Sequence, residues 1–455
     1  MIPSVTLETR IHLVGIGGAG MSGIARILLQ RGHLVSGSDL HEGRALDELR
    51  VLGARIEAGH REENLGDADV LVTSSAVPAD NPELLTAHAK GLPVLRRAEM
   101  LAELMVDDHA VLIAGTHGKT TTTSMTVVAV QAAGGDPSFA IGGQLNESGT
   151  NAHAGSDGRF IAEADESDRS FLVYRPNLAV VTNLEHDHPD EFADEAAVRE
   201  AFVEFLGRRA SGSPAVLCAD DPGTIALAKL VDGPVITYGS DPRADVRVLT
   251  SDAGYRIRIE DQDVAAFRLG VPGHHNVLNA TAALAVCRHL GVDLELAAGG
   301  LARFTGAARR FHRLGEVDGV IVVDDYAHHP TELRATLAAA RGLGADRIVL
   351  VVQPHRYSRT QVFGAELGRA AAAADVIVVT DVYGSSEAPI PGVSGATVAE
   401  AANAAGASAI YQPHLRDVVS TLEQLVRAGD LVLTTGAGDV TQVGPALLDR
   451  LGWGR

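Results

Sequence analysis

Residues 111–125, VLIAGTHGKTTTTSM, leave a chain of this kind few folds to choose from. The apolar run Val111-Leu112-Ile113-Ala114 reads as a buried parallel strand. Gly115 and Gly118 then allow a tight turn whose N–H groups point inward and make a nest for phosphate oxygens. In such a nest Lys119 reaches the terminal phosphates and a hydroxyl of Thr120 or Thr121 ligates Mg2+, while the helix opening at the threonines adds its positive N-terminal dipole. The generic phosphate-loop pattern places a glycine where this chain has Ile113, so only the shorter G-x-x-G-K-T core is present. Strand, glycine turn, Lys-Thr and helix still occur together, which predicts an α/β nucleotide-binding domain.

The start of the chain has a second turn of this kind. Residues 11–14 read as a strand, Gly15, Gly17, Gly18 and Gly20 as a glycine turn, and 21–30 as a helix stopped by Arg31-Gly32. A strand over 34–37 leads to Asp39, the position from which an acid meets a ribose or sugar hydroxyl in a Rossmann-like unit. The same geometry serves NAD or any other diphosphate ligand, a nucleotide sugar included. Ser74, Ser75, Arg96 and Arg97 follow strands over 68–73 and 92–95, at the strand ends where open α/β sheets bind ligands.

With 455 residues the chain exceeds what one core serves, so two to four domains are expected. The net charge of −20 argues against a nucleic-acid surface and an anionic membrane. Cys218 and Cys287 sit in apolar surroundings and suit small core residues of a reducing compartment. No run approaches a membrane span, and MIPSVTLETR has neither a basic start nor an apolar signal core, so a cytoplasmic protein is expected.

Downstream, Glu163, Asp165, Glu166 and Asp168 cluster at the end of a strand over 160–164, where Mg2+ would take carboxylate and phosphate oxygens together. A strand over 177–182 closes on NLEHDHP, residues 183–189, and an imidazole beside nucleotide-bound Mg2+ fits that loop better than a zinc site. Asn276 and Asn279 lie three apart at the start of a long apolar helix, so both amides face one side. A last unit alternates strands over 320–323, 347–352, 375–379 and 431–434 with helices, and its strand ends carry DDYAHHPTE and QPHRYSRT. The glycine-rich stretch 436–439 reads as no more than a turn.

Taken together, GIGGAGMSG, GTHGKTTTT, EADESD, TNLEHDHPDEF, GHHNVLNA, ARRF, DDYAHHPTE and QPHRYSRT resemble the Mur ligases. The likeness runs from about residue 11 to the last strand. GTHGKT marks the ATP-dependent amide-bond ligases broadly, whereas DDYAHHPTE together with QPHRYSRT points to the branch that adds L-alanine to UDP-N-acetylmuramate in peptidoglycan precursor synthesis. The branch that recycles whole murein peptides is the alternative.

The resemblance implies three α/β domains: an N-terminal Rossmann-like domain for the uridine substrate (1–105), a central P-loop-type domain for ATP (106–310) and a C-terminal Rossmann-like domain that brings the amino acid and closes (311–455). It implies that Gly17, Gly18, Gly20, Asp39, Ser74, Ser75 and Arg96 hold the uridine substrate. Gly115, Thr116, Gly118, Lys119, Thr120 and Thr121 would hold the ATP phosphates, Asn276 and Asn279 the adenine, and Arg310 and Asp325 would reach the same nucleotide. Thr120, Glu163 and His188 would ligate Mg2+ or Mn2+, with Glu166 the alternative to Glu163. Lys119, Glu163, His188 and Arg310 form the implied catalytic set. Tyr326, His328, His355, Arg356 and Arg359 would bind the amino acid, and His328, His329 or His355 would take its proton. Several relatives use a carbamylated lysine shortly after the His188 motif, but residues 189–207 contain no lysine. Two other classes are kept open: an NAD-dependent oxidoreductase, suggested by the first glycine turn and Asp39, and a nucleotide-switched binding protein.

Overall fold

The computed structural model describes residues 7–146 and 148–452, so part of the N-terminal stretch read for a signal core lies outside it. Three open sheets organise these residues. The first is wholly parallel, in the order Arg55–Ala58, Leu34–Asp39, Arg10–Val14, Val70–Thr73, Val94–Arg96. Order reverses between Arg10–Val14 and Val70–Thr73, and the glycine turn and Ser74 both lie at that switch point, where such sheets take ligands.

The second sheet has ten strands, with His109–Ala114 between Leu178–Val181 and Arg159–Glu163. Val111, Leu112 and Ile113 are fully buried, as expected of a strand covered on both faces, and each contributes about 1.5 to 3 kcal/mol by leaving water. The helix Lys119–Ala132 follows at once. Its threonines are poor helix formers, yet Thr123 and Thr126 donate their hydroxyls to the carbonyls of Lys119 and Thr122, at 2.9 and 2.7 Å, and so stay satisfied when buried. One side of this sheet ends in the antiparallel meander Val246–Ser251, Gly254–Ile259, Gln262–Phe267. Cys218 and Cys287 are buried free thiols, both pushed up to about 12 by burial.

The third sheet runs His312–Val317, Val320–Asp325, Asp430–Thr435, Arg347–Val352, Val376–Val379, Ala409–Tyr411. Its centre is parallel, and His312–Val317 pairs antiparallel with Val320–Asp325. Two strands here, His312–Val317 and Ala409–Tyr411, were not expected from the sequence. The helix Pro330–Arg341 begins with proline at its first turn and a capping box: His329 accepts from the N–H of Thr331, and Glu332 accepts from that of His329. Part of DDYAHHPTE is therefore helix-start chemistry.

By contact the chain divides into two compact units. One comprises the residues up to Leu184, Arg199–Arg268 and Ala280–Ala302, and holds the first two sheets. The other comprises Glu185–Val198, Leu269–Asn279 and the residues from Arg303 onward, and holds the third.

Candidate active site

In the first unit the glycine turn after Arg10–Val14 is pinned to the neighbouring strand. The Gly17 N–H donates to Asp39 Oδ2 at 2.8 Å, and a Cβ on Gly17 would meet that oxygen at 2.9 Å. Gly17, Gly18, Gly20, Asp39 and Ser74 line one cavity of about 860 Å³. Ser75 and Arg96 line a second, of about 420 Å³, and Ser74 and Arg97 border both. Arg97, beside the residue chosen from sequence, lies so close to the turn that a Cβ on Gly20 would stand 3.0 Å from its guanidinium.

The loop after His109–Ala114 carries left-handed glycines at both expected positions, with φ of 131° at Gly115 and 81° at Gly118. A Cβ at Gly115 would collide with the Thr182 hydroxyl and stand 2.9 Å from the Thr182 backbone N. Glycine is required there by space as well as by φ. Lys119 Nζ donates to the Gly115 carbonyl at 2.8 Å and to Glu166 Oε2 at 2.6 Å, with Asp165 at 3.7 Å. Burial works against its ammonium, but Glu166 and Asp165 outweigh burial and hold Lys119 above the usual lysine range. Thr120 Oγ1 lies 3.2 Å from Glu163 Oε2, and Glu163 Oε1 accepts the Gly142 N–H at 2.6 Å. Thr120 and Glu163 thus present two oxygen donors side by side, the type a hard divalent cation takes. Glu166 instead faces Lys119. Thr116 and Thr121 are buried in the same loop and first helical turn.

In the second unit the loop after Arg347–Val352 feeds the helix Tyr357–Ala371. Arg359 is buried and binds Asp187 through Nε at 2.8 Å and Nη2 at 3.2 Å. The Arg359 guanidinium draws the Asp187 carboxyl well below the carboxylate range in spite of burial. Arg356, with φ of 66°, donates to Asp190 at 2.5 Å. His188 is also left-handed, at φ 54°, with its Nδ1 3.4 Å from Arg359 Nη2.

His328 donates from Nδ1 to the Tyr326 carbonyl at 2.9 Å, and its ring meets that of His355 at 5.7 Å. Burial and the neighbouring Arg359 push these imidazoles down to about 3 for His328 and about 4 for His355, so both are neutral near pH 7. Two guanidiniums lie over the Tyr326 ring, Arg309 at 4.9 Å and Arg310 at 4.8 Å from its centre. Asp325 accepts the N–H groups of Phe311 and Ala327 at 2.6 and 2.8 Å, and burial raises its carboxyl to about 6. Asn276 and Asn279 are buried neighbours, 3.4 Å apart through their amides, as the spacing of three predicts.

Family profiles match almost end to end. Residues 10–109 match the Mur ligase family, catalytic domain; residues 113–287 match the Mur ligase middle domain; residues 309–438 match the Mur ligase, glutamate ligase domain. The chain belongs to the Mur ligase family. A UDP-N-acetylmuramate–L-alanine ligase of Mycolicibacterium vanbaalenii is 49% identical over 96% of this chain and 95% of its own length. Among solved structures, a UDP-N-acetylmuramate-alanine ligase from Thermotoga maritima superposes with a TM-score of 0.81 at 29% identity, covering 98% of this chain and all of that one. A murein peptide ligase from Psychrobacter arcticus gives a TM-score of 0.73 at 26% identity, covering 98% and 99%.

As a Mur ligase the chain is an ATP-dependent, amide-bond-forming enzyme with three α/β domains. Among its described residues no helix is long and apolar enough to cross a membrane. Sequence reading passed over Asp187 and Arg309. Arg309 donates to the carbonyl of Gly436 at 2.6 Å, so the glycine stretch taken for a mere turn is tethered to the ARRF motif. Asp187 had a signal, its place within the LEHDHP run, but its partner lies 172 residues away.

Proposed function

We propose that this Mur ligase joins L-alanine to the carboxylate of UDP-N-acetylmuramate, with ATP converted to ADP and phosphate. The observation that carries the reading is the near full-length identity of 49% to a relative of that name. The geometry supports the chemistry. A carboxylate resists an amine because its leaving group would be oxide, so it is first phosphorylated by ATP to an acyl phosphate, from which phosphate departs easily. That transfer needs charge neutralisation more than proton transfer.

Lys119, released from Glu166, turns to the β and γ phosphates, cradled by the loop from Gly115 to Thr121. Thr120 and Glu163 would hold Mg2+, which would supply further neutralisation of phosphate charge there, and residues 189–207, shortly after His188, contain no lysine to build a carbamylated second site. The uridine substrate occupies the cavity lined by Gly17, Gly18, Gly20, Asp39 and Ser74, with Ser75 and Arg96 bordering its continuation. Asn276 and Asn279 are assigned to adenine, and Arg310 and Asp325 to the nucleotide.

Arg356 and Arg359 face the amino-acid carboxylate, and Tyr326, His328 and His355 restrict the side chain to a methyl group. With Nδ1–H bound to a carbonyl, His328 keeps a lone pair on Nε2. Its low basicity suits orienting an amine more than storing its proton. The surroundings are cytoplasmic. The acyl-phosphate step is tested with substrate carrying 18O in its carboxylate: one labelled oxygen should appear in the released phosphate, and unlabelled phosphate would exclude that route. A murein-peptide substrate is the second reading, favoured by the likeness to the Psychrobacter arcticus protein.

A further inference from the structure

Beneath the 860 Å³ cavity of the first unit lies a buried polar cluster that takes no part in phosphoryl transfer. Glu83, in the first turn of the helix Pro82–Ala89, has no exposed surface, and neither have Ser38 and His12. Its Oε1 accepts from Asn64 Nδ2 at 2.6 Å and from the Arg61 N–H at 3.2 Å. Its Oε2 accepts the Ser38 hydroxyl at 2.6 Å and lies 3.3 Å from His12 Nε2. Burial alone would raise this carboxyl, but the bonds from His12, Ser38 and Asn64 bring it down to about 2, so it is an ionised acceptor with no proton to give.

That ionisation settles the direction of each bond above it. Ser38 has one hydrogen and spends it on Glu83, so at its other contact, 2.9 Å from His60 Nδ1, the serine oxygen accepts. His60 therefore carries its proton on Nδ1. In the neutral ring the remaining nitrogen, Nε2, is an acceptor, and His60 lines the cavity.

The sheet places this acceptor. Along the strand ends, the glycine turn follows Arg10–Val14, Asp39 ends the next strand, and His60 stands two residues past Arg55–Ala58, one strand farther out. With a diphosphate at the glycines and a ribose at Asp39, a base falls beside His60. Leu40, exposed by 65% and lining the same cavity, offers an apolar face for a flat ring. Uracil has one N–H donor once attached to ribose, at N3.

We infer that Glu83, acting through Ser38, is a positioning residue that fixes His60 as a hydrogen-bond acceptor for the N3–H of the substrate's uracil. This rests on the uridine substrate named above. The test is calorimetry on the full chain with UDP and with N3-methyl-UDP. The parent should prefer UDP by about tenfold or more, the worth of one buried hydrogen bond. His60→Ala should bring that preference to within about threefold while the KM for ATP holds. Glu83→Gln reverses the relay, because an amide can donate to Ser38, and should erase the same preference. A merely structural cluster would leave the ratio of the two ligands untouched in His60→Ala even if overall affinity fell. Equal binding of the two ligands by the parent, or an unchanged ratio in His60→Ala, overturns this inference alone. A parent that binds no UDP overturns the substrate reading and this inference with it.

Discussion

Arg359 and Asp187, 172 residues apart in sequence, form a two-pronged ion pair of 2.8 and 3.2 Å with only 5% and 4% of their side chains exposed. Removing one partner strands the other as a buried charge, at a cost of about 3 to 5 kcal/mol. Arg359→Ala should therefore lower stability in urea by that amount as well as raise the KM for L-alanine. Arg359→Met with Asp187→Leu should regain most of the stability and still use alanine poorly. If the double substitution restores alanine use, the guanidinium serves packing and not the amino-acid carboxylate.

Arg356 provides the cleaner probe, since its partner Asp190 is 36% exposed and tolerates being left alone. Arg356→Ala should raise the KM for L-alanine about tenfold, leaving the KM for ATP nearly fixed and the fold intact. Equal weakening of ATP would place this arginine elsewhere in the chemistry.

Lys119→Ala should cut phosphate release about a hundredfold or more, because the lost charge acts on the transferring phosphoryl group. Thermal unfolding should move little, since Glu166, left alone, can take up a proton: burial and Asp165 already raise it to about 7 against the pull of Lys119. Activity within tenfold of the parent would dismiss the phosphate-loop assignment.

Glu163 and Glu166 differ in what they face, and a Mg2+ titration separates them. Glu163→Gln should raise the Mg2+ concentration needed for half-maximal rate about tenfold or more, because it removes a carboxylate ligand beside Thr120. Glu166→Gln should lower the rate with a smaller change in Mg2+ demand. The opposite pattern would move the metal to Glu166.

His328 and His355 lie below the ordinary imidazole value of 6.5, driven down by burial and Arg359. A depressed folded-state value means stability fully present above about 6.5 and lost as pH falls toward 4 and 3. The melting temperature should thus fall between pH 7 and pH 5, and less steeply in His355→Gln. Glu166 and Asp325, both raised by burial, pull the other way in parent and variant alike, so it is equal slopes in the parent and His355→Gln that would contradict the buried neutral imidazole.

The first glycine turn, the Lys119 loop and the neighbouring strands were legible because their signals are local: apolar runs, glycines forced by φ, a lysine next to threonines. Asn276 and Asn279 were legible for the same reason, through helical spacing. His312–Val317 and Ala409–Tyr411 escaped because one mixes polar and apolar residues and the other is three residues long. Glu83 beneath His60, Arg309 at Gly436 and Asp187 against Arg359 depend on pairing across 23, 127 and 172 positions, which no local pattern encodes.

The measurement that bears most directly on the central claim is phosphate release from ATP with UDP-N-acetylmuramate against a panel of amino acids and a murein tripeptide. Release should require both Mg2+ and UDP-N-acetylmuramate and be fastest with L-alanine, with the alanyl product formed in equal amount. Release indifferent to the amino acid, or faster with the tripeptide, would contradict it.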